Sequence, residues 1–220
     1  MFKERVKNFW YDMCRFCCWV FCRVFFKVRV HGLENIPREG PFVLLCNHQS
    51  YLDPVFCGIT AKRRFYYVAR DSLFRNPIFG RLLVSIKVIP IRRGSADLSA
   101  IKKVIEKLKV GYPVCLFPEA TRTSDGKISA LKPGVGLLSR RSKSPVVPAV
   151  IDGAFECWPR NRKIFSPGRI TICYNEPISP QRVKQLGDEE FAALLTDTLR
   201  KMQNDCRKNL GKEPYDYTAD

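Results

Sequence analysis

The sequence has few of the features that mark metal centres and disulfide scaffolds. It contains only two histidines, and its ten cysteines include no paired Cys-x-x-Cys motifs at zinc-ligand spacing. The cysteines lie in apolar runs or cluster near the N-terminus, between Cys14 and Cys22. We therefore expect no metal site and predict free, buried thiols in a reducing compartment. Metal binding or acylation at the Cys14–Cys22 cluster is the alternative.

Long uninterrupted apolar runs are also missing. Residues 9–26 are rich in Phe, Trp, Val and Cys, but charged residues recur at positions 12, 15, 23 and 27. A spanning helix needs ~20 mainly apolar residues, and no small-x-small cleavage site of a signal peptide follows. At ~100° per residue the four charges fall within roughly 120° of arc on a helix. We expect residues 1–25 to form an amphipathic helix in the membrane interface, with Lys3, Arg5 and Lys7 near anionic head groups. Docking of this helix onto the protein's own core is the alternative.

Acidic residues are scarce relative to basic ones. The chain has 21 Asp plus Glu against 38 Lys plus Arg, a net charge of +17. Such a charge favours anionic partners, including nucleic acid, anionic lipids and phosphorylated small molecules. The basic residues are spread along the chain, without a zinc-finger, helix-turn-helix or aromatic stacking motif. We therefore expect anionic membrane lipids and no nucleic acid as partners.

The pattern along residues 26–208 predicts one α/β domain. Short apolar runs alternate with amphipathic segments at a spacing typical of a partly parallel central sheet flanked by helices. Within it, Arg169–Tyr174 alternates in polarity and is expected to be an edge strand. Residues 209–220 are expected to form a frayed C-terminal tail.

The most informative stretch is residues 42–53, Phe-Val-Leu-Leu-Cys-Asn-His-Gln-Ser-Tyr-Leu-Asp. The apolar run predicts a buried strand, and Asp53-Pro54 predicts a helix start with Asp53 as N-cap. A turn in the loop could bring the Asp53 carboxylate onto the His48 imidazole. Such a pair can deprotonate a hydroxyl group. From these residues alone, a loop histidine beside an ordinary N-cap is equally compatible.

Two other predicted strands end in polar clusters. Arg92-Arg93 follows one strand, and Glu119 precedes Arg122 after another. The carboxyl ends of parallel strands share one edge of the sheet, where ligands bind. Arginine donates planar pairs of hydrogen bonds that suit phosphate, whereas a lone arginine in so basic a chain is more often a solvated surface residue. Together, the three strand ends predict a phosphate pocket next to a base.

Several segments resemble the motifs of the glycerolipid acyltransferases. Residues 47–53 (NHQSYLD) are similar to the NHxSxxD motif, and residues 117–123 (FPEATRT) to the FPEGTRS motif. Residues 93–94, 70–80 and 146–150 resemble the arginine, Lys-Glu-Leu…Pro…Gly and apolar motifs of the same family. The order and spacing match across roughly residues 26–175, and the resemblance is greatest to the bacterial 1-acyl-glycerol-3-phosphate acyltransferases.

The resemblance implies transfer of a fatty acyl group from acyl-CoA or acyl carrier protein to the free hydroxyl of a lysophospholipid acceptor. This would give phosphatidic acid at the cytoplasmic face of the membrane, where the protein would be peripheral or monotopic, and no cofactor would be needed. The implied catalytic residues are His48 as general base and Asp53 as its partner. The implied substrate-binding residues are Ser50, Arg93, Glu119, Thr121 and Arg122, with Ser50 or backbone N–H groups near the helix start as oxyanion donors.

The sequence departs from the family pattern at three places. Ala120 replaces a glycine, Thr123 replaces a serine, and Arg70-Asp71 replaces Lys-Glu. The methyl group of Ala120 is expected to narrow the pocket or to demand a negative φ. These departures leave other acceptors open, such as glycerol-3-phosphate, another lysophospholipid or an amino-acid lipid. A non-catalytic basic protein that binds lipids or nucleic acid is the remaining alternative.

Overall fold

The computed structural model describes residues 2–92 and 97–218, which form a seven-stranded sheet with helices on both faces. The strands are β1 (Phe26–His31), β2 (Val43–Cys46), β3 (Tyr66–Arg70), β4 (Val88–Ile91), β5 (Val114–Leu116), β6 (Val146–Asp152) and β7 (Gly168–Tyr174). The helices are α1 (Phe2–Phe25), α2 (Asp53–Thr60), α3 (Pro77–Ser85), α4 (Leu98–Lys109), α5 (Leu137–Ser142), α6 (Ala154–Cys157) and α7 (Pro180–Asn209).

The strand order is β1-β7-β6-β2-β5-β3-β4. All neighbouring strands are parallel except β6 and β7, which confirms the predicted α/β fold with a partly parallel sheet. The carboxyl ends of β2 to β6 therefore lie along one edge. The central strand β2 is buried over its whole length, so its two faces contribute to two hydrophobic cores. Helices α1 and α2 cover one face of the sheet, and α4 and α7 cover the other.

Strand β7 is not an edge strand, contrary to our expectation. It lies between β1 and β6, and the edges of the described sheet are β1 and β4. Its central residues Ile170, Thr171 and Ile172 are all buried. The polarity of Arg169 and Thr171 suggested a half-exposed strand, but alternation along a strand reports on its two faces and carries no information about its neighbours in the sheet.

The expected frayed tail is also wrong for the described residues up to 218. The hydroxyl of Tyr217 accepts a hydrogen bond from the Ile128 backbone N–H (3.0 Å) and donates one to the Gln203 side chain. The Tyr215 ring packs 3.8 Å from the guanidinium carbon of Arg207 in α7. Two aromatic side chains therefore anchor the tail against α7 and the loop after β5, which outweighs the usual fraying of a terminus.

The cysteines are not all free thiols as expected. Cys173 of β7 and Cys206 of α7 form a disulfide, and the other eight cysteines are free. The pair is separated by 33 residues in sequence, and it meets only because α7 packs across the sheet at β7. The sequence pattern therefore gave no signal for this pairing.

The predicted N-terminal helix is present as α1, and one side of it packs against the rest of the domain. Tyr11 and Cys22 are buried, and the Tyr11 hydroxyl accepts a hydrogen bond from the Phe65 backbone N–H. The opposite side exposes an apolar stripe of Phe9, Met13, Phe16, Val20 and Val24. Among the described residues, no helix is long and apolar enough to cross a membrane.

Candidate active site

The candidate site begins where β2 ends, and Asn47 fixes that point. Its side-chain amide donates to the Ile151 carbonyl (3.0 Å) and accepts from the Ile151 N–H (2.8 Å). This two-bond link ties the start of the loop to the neighbouring strand β6. The loop that follows therefore leaves the sheet at a defined position.

The loop brings His48 and Asp53 together, as the spacing predicted. The Nδ1 atom of His48 lies 2.8 Å from Oδ2 of Asp53, and the backbone N–H groups of Gln49 and Ser50 donate to the same oxygen at 2.6 and 2.7 Å. Asp53 is completely buried. Because an ionised carboxylate oxygen can only accept hydrogen bonds, the imidazole carries its hydrogen on Nδ1, and Nε2 is left as the basic nitrogen.

The predicted N-cap role of Asp53 is wrong. Helix α2 begins at Asp53 and its N-cap is Leu52, with no capping side chain from residues 2–92 or 97–218. The carboxylate points back at the loop because the Gln49 and Ser50 N–H groups and the imidazole satisfy it there. A capping carboxylate bonds forward into the helix, whereas this one closes a turn around His48.

The loop after β5 packs against His48 from the other side. The Phe117 ring stacks on the imidazole, with the ring centroids 4.3 Å apart. The His48 N–H donates to Oε1 of Glu119 (2.7 Å), and the His48 carbonyl accepts from the Thr123 N–H (2.8 Å). Burial raises the pKa of Glu119 to about 7, although the hydrogen bond from His48 opposes this shift. The two loops are thus joined at the general-base candidate itself.

Arg122 packs on an aromatic ring of the loop that carries His48 and Asp53. Its guanidinium carbon lies 3.4 Å from the centroid of the Tyr51 ring, and Tyr51 in turn packs against Trp158 at 5.1 Å. The Nη1 atom of Arg122 is buried and has no hydrogen-bond partner among the described residues. A buried guanidinium donor without a partner is costly unless an anion binds it, so this atom is a candidate phosphate contact.

Ser50 is not placed to stabilise an oxyanion. Its hydroxyl donates to the Trp158 carbonyl (2.9 Å) and accepts from the Leu52 N–H (3.2 Å). The side chain therefore shapes the loop. The backbone N–H groups of Gln49 and Ser50 are also engaged, since both donate to Asp53. Sequence reasoning could not detect this, because the acceptor on Trp158 lies 108 residues away.

The structure describes Thr121, and it does not describe the other remaining predicted site residue, Arg93. Thr121 is exposed on the loop between Glu119 and Arg122. Arg93 lies outside the described residues. Ala120 has a positive φ of 58°, so its methyl group is accommodated in the left-handed region and does not force the negative φ that we expected. This conformation costs about 1 kcal/mol or more relative to glycine, and it lies within the loop that carries Glu119 and Arg122.

Three supporting residues were missed at the level of sequence. Tyr51 and Phe117 lie inside the two quoted motifs, but their rings were assigned no role. Gln49 is buried, and its side chain donates to the Gly126 carbonyl (2.9 Å) and accepts from the Phe155 N–H (3.3 Å). Each of these residues lies inside a motif, close to its charged or catalytic positions. That location is the sequence signal that could have indicated a supporting role. Among the described residues, no cluster of three or more His, Cys, Asp or Glu side chains could hold a metal ion.

The assembled geometry suits removal of a proton from a hydroxyl group bound next to an anion. It has a tautomer-fixed imidazole, a buried carboxylate behind it, and a guanidinium whose buried donor has no partner in the part of the chain that the structure describes. These parts come from the carboxyl ends of β2 and β5, which are hydrogen-bonded neighbours.

Comparisons with known proteins show the family to which the chain belongs. A family model described as "Acyltransferase" matches residues 27–152, more than half of the chain. The 1-acyl-sn-glycerol-3-phosphate acyltransferase of Pseudomonas aeruginosa is 33% identical over 212 residues, which cover 91% of this chain and 80% of that protein. The protein of the same name from Bacillus subtilis is 29% identical over 184 residues, which cover 83% of this chain and 89% of that one.

The fold also matches a solved structure. The 1-acyl-sn-glycerophosphate (LPA) acyltransferase PlsC from Thermotoga maritima superposes with a TM-score of 0.79 at 24% sequence identity. The match covers 92% of this chain and 82% of that one, and at this identity it shows the shared fold. By the family match over most of its sheet and by the identity to its Pseudomonas relative, the chain belongs to the acyltransferase family.

Proposed function

We propose that this protein transfers a fatty acyl group to the free hydroxyl of 1-acyl-sn-glycerol-3-phosphate and so forms phosphatidic acid. The observation that carries the proposal is the His48–Asp53 pair beside Arg122, whose buried Nη1 has no partner among the described residues. A base next to an anion contact fits an acceptor that bears both a hydroxyl and a phosphate. The curated relatives named as 1-acyl-sn-glycerol-3-phosphate acyltransferases support this acceptor.

The chemistry needs no enzyme nucleophile. Nε2 of His48 takes the proton of the acceptor hydroxyl as its oxygen attacks the carbonyl carbon of a thioester. The tetrahedral intermediate collapses, the C–S bond breaks, and the thiolate takes the proton back from the imidazolium. An ester and a free thiol result, and His48 is regenerated. Either acyl-CoA or acyl carrier protein can supply the thioester.

Asp53 acts through His48. Its buried carboxylate holds the hydrogen on Nδ1 and stabilises the positive charge that the imidazole gains during attack. The two N–H groups that also donate to Oδ2 keep the carboxylate from rotating away. The alignment of the imidazole is further held by the Phe117 ring stacked against it.

Substrate contacts come from the loop after β5. Arg122 binds the acceptor phosphate, with Tyr51 holding the guanidinium in place. Glu119 and Thr121 lie on the same loop and contact the glycerol backbone. Arg93, which follows β4 outside the described residues, is a second phosphate contact in this proposal.

The membrane supplies the acceptor and receives the product. Helix α1 exposes an apolar stripe with the basic residues Arg5 and Lys7 near its start. Such a helix lies in the interface of a bilayer with anionic lipids and makes the protein peripheral or monotopic at the cytoplasmic face. The net charge of +17 strengthens attraction to anionic lipids.

The test is product analysis with purified protein. One acyl-CoA is offered with a panel of acceptors: 1-acyl-glycerol-3-phosphate, glycerol-3-phosphate, a neutral lysophospholipid and an acylated amino acid. Mass spectrometry should detect phosphatidic acid as the main product. If another acceptor is acylated and 1-acyl-glycerol-3-phosphate is not, the proposed acceptor is wrong. The role of His48 as base is tested separately by the variants below.

The chain offers a matched pair of variants for the base. His48→Ala should lower the rate by 10²–10⁴-fold or more, the range for loss of a general base. His31→Ala removes the other histidine, which is exposed on β1, and should leave the rate unchanged. Near wild-type rates for folded His48→Ala protein would contradict the proposed mechanism.

A further inference from the structure

An exposed apolar patch lies on α3 and on the turn before it. Leu73, Ile78, Phe79 and Leu82, which we call the α3 patch, are 46%, 79%, 44% and 41% exposed. At ~100° per residue, the three helical members fall within about 100° of arc. Single exposed apolar residues are ordinary, but four grouped on one short element indicate a surface that is covered by something apolar.

The α3 patch is continuous with the exposed stripe of α1. Ser85 lies on the same side of α3 as Ile78 and Leu82, two turns further along. Its hydroxyl accepts a hydrogen bond from the indole N–H of Trp10 (2.9 Å), which joins the two helices. The outward residues of α1, from Phe9 to Val24, therefore extend the apolar surface across the same face of the molecule.

Basic side chains surround the patch. Arg70, Arg75 and Arg81 are exposed next to or within α3, and Asp71 is the only acidic residue between positions 70 and 85. On α1, Asp12 lies ~160° around the helix axis from Trp10. It is paired with Arg64 at 2.5 Å, so its charge is compensated. An apolar centre with a basic rim matches a bilayer that carries anionic head groups.

The patch also reaches the edge of the sheet that holds the candidate site. Leu73 and the start of α3 follow the carboxyl end of β3, and β3 is separated from β2 by β5 alone. Adjacent strands are about 4.8 Å apart, so this end of the patch lies roughly 10 Å along the edge from the strand that carries His48. The other end of α3 meets α1 at the opposite edge.

We propose that the α3 patch is a second membrane-binding element, which enters the interface of an anionic bilayer together with α1. A protein bound to the membrane through α1 alone could rotate about the axis of that helix. Two elements joined at Trp10 and Ser85 prevent this rotation and fix the orientation of the sheet on the membrane. The edge that bears His48 then lies close to the lipid surface, because one end of the α3 patch reaches that edge. This orientation bears on catalysis only if the acceptor is a membrane lipid, and to that extent it rests on the proposed function.

The test compares two acidic substitutions in the first turns of helices on opposite faces of the sheet. Ile78→Glu places a charge in the α3 patch, and Leu98→Glu places one at the exposed start of α4, on the face covered by α7. A glutamate near a helix N-terminus is favourable in both cases, so both variants should fold. Binding is measured by flotation with vesicles of phosphatidylethanolamine and phosphatidylglycerol.

We expect Ile78→Glu to bind these vesicles at least about tenfold more weakly than wild type, because it loses apolar burial and gains repulsion from anionic lipid. Leu98→Glu should bind like wild type. Equal binding of both variants, or absence of vesicle binding by wild type, would overturn the proposal. Should Ile78→Glu fail to fold, Leu73→Glu in the preceding turn makes the same test.

A second readout separates this proposal from the proposed function. With acceptor dispersed in detergent micelles, Ile78→Glu should retain the wild-type rate of phosphatidic acid formation, whereas with acceptor in vesicles it should lose rate in parallel with binding. If wild type forms no phosphatidic acid in either medium while Ile78→Glu still weakens vesicle binding, the proposed function fails and the membrane-binding element stands.

Discussion

The sharpest perturbation of the candidate site is Asp53→Asn. The asparagine carbonyl oxygen can occupy the position of Oδ2, where it still accepts from His48 Nδ1 and from the Gln49 and Ser50 N–H groups. The tautomer of the imidazole is then preserved, and the substitution removes little except the negative charge. The variant therefore isolates the electrostatic part of the pair from its geometric part.

The size of the effect follows from the separation of the two groups. Coulomb's law with an effective dielectric constant of ~20 gives about 6 kcal/mol for unit charges at the observed 2.8 Å. In the proposed mechanism that energy stabilises the imidazolium formed during attack, and its loss corresponds to a rate reduction on the order of 10⁴-fold. The asparagine NH₂ group would also occupy the buried position of Oδ1, which has no hydrogen-bond partner among the described residues. Because its donors would then be buried and unsatisfied, the variant should lose about 1–3 kcal/mol of stability.

The assay is single-turnover acyl transfer at a temperature where thermal unfolding shows the variant to be folded. Asp205→Asn is the matched control, because it removes an exposed carboxylate paired with Lys201 on α7 and should leave the rate unchanged. A loss of less than tenfold for folded Asp53→Asn protein would refute the reasoning, since the buried charge would then contribute little to the transition state.

Three further predictions concern Glu119, Tyr51 and Gly153. Burial raises the pKa of Glu119 from its usual 4.5 to about 7. Between these two pH values the folded protein binds more protons than the unfolded chain, so its stability falls as the pH rises. Glu119→Gln should abolish this loss of stability in melting curves taken across the same pH range. Tyr51→Leu should raise KM for the acceptor roughly tenfold with a smaller change in kcat, because the 3.4 Å support of Arg122 is lost; an unchanged KM would argue against that support. Gly153→Ala should lower stability by more than about 2 kcal/mol in denaturant titrations, because φ is 90° and the new methyl carbon would lie 2.1 Å from the Arg169 carbonyl oxygen.

The elements themselves were predictable because local patterns encode them. The apolar run before Asn47 became the buried strand β2. The five-residue spacing of His48 and Asp53 was also sufficient for their contact, since both lie in one tight turn. Period and short-range spacing are properties of adjacent residues, so they can be read before the chain folds.

The supports of the site could not be predicted in this way. The Glu119 oxygen that accepts from the His48 N–H is 71 residues away in sequence, and the Trp158 carbonyl that engages Ser50 is 108 residues away. Contacts between residues so far apart in sequence produce no periodic pattern in the sequence. The motif resemblance grouped the segments that carry His48 and Glu119, but it could not show that the Ser50 hydroxyl holds the loop or that Tyr51 stacks on Arg122.

Local sequence thus specified the strands, the helices and the His48–Asp53 turn. The tertiary structure decided which strands are neighbours, where β7 lies, how the tail is anchored by Tyr217, and which apolar faces stay exposed on α1 and α3. The physical reason is that backbone preferences and hydrophobic periodicity act over a few residues, whereas strand order, burial of charge and surface continuity depend on which distant segments pack together.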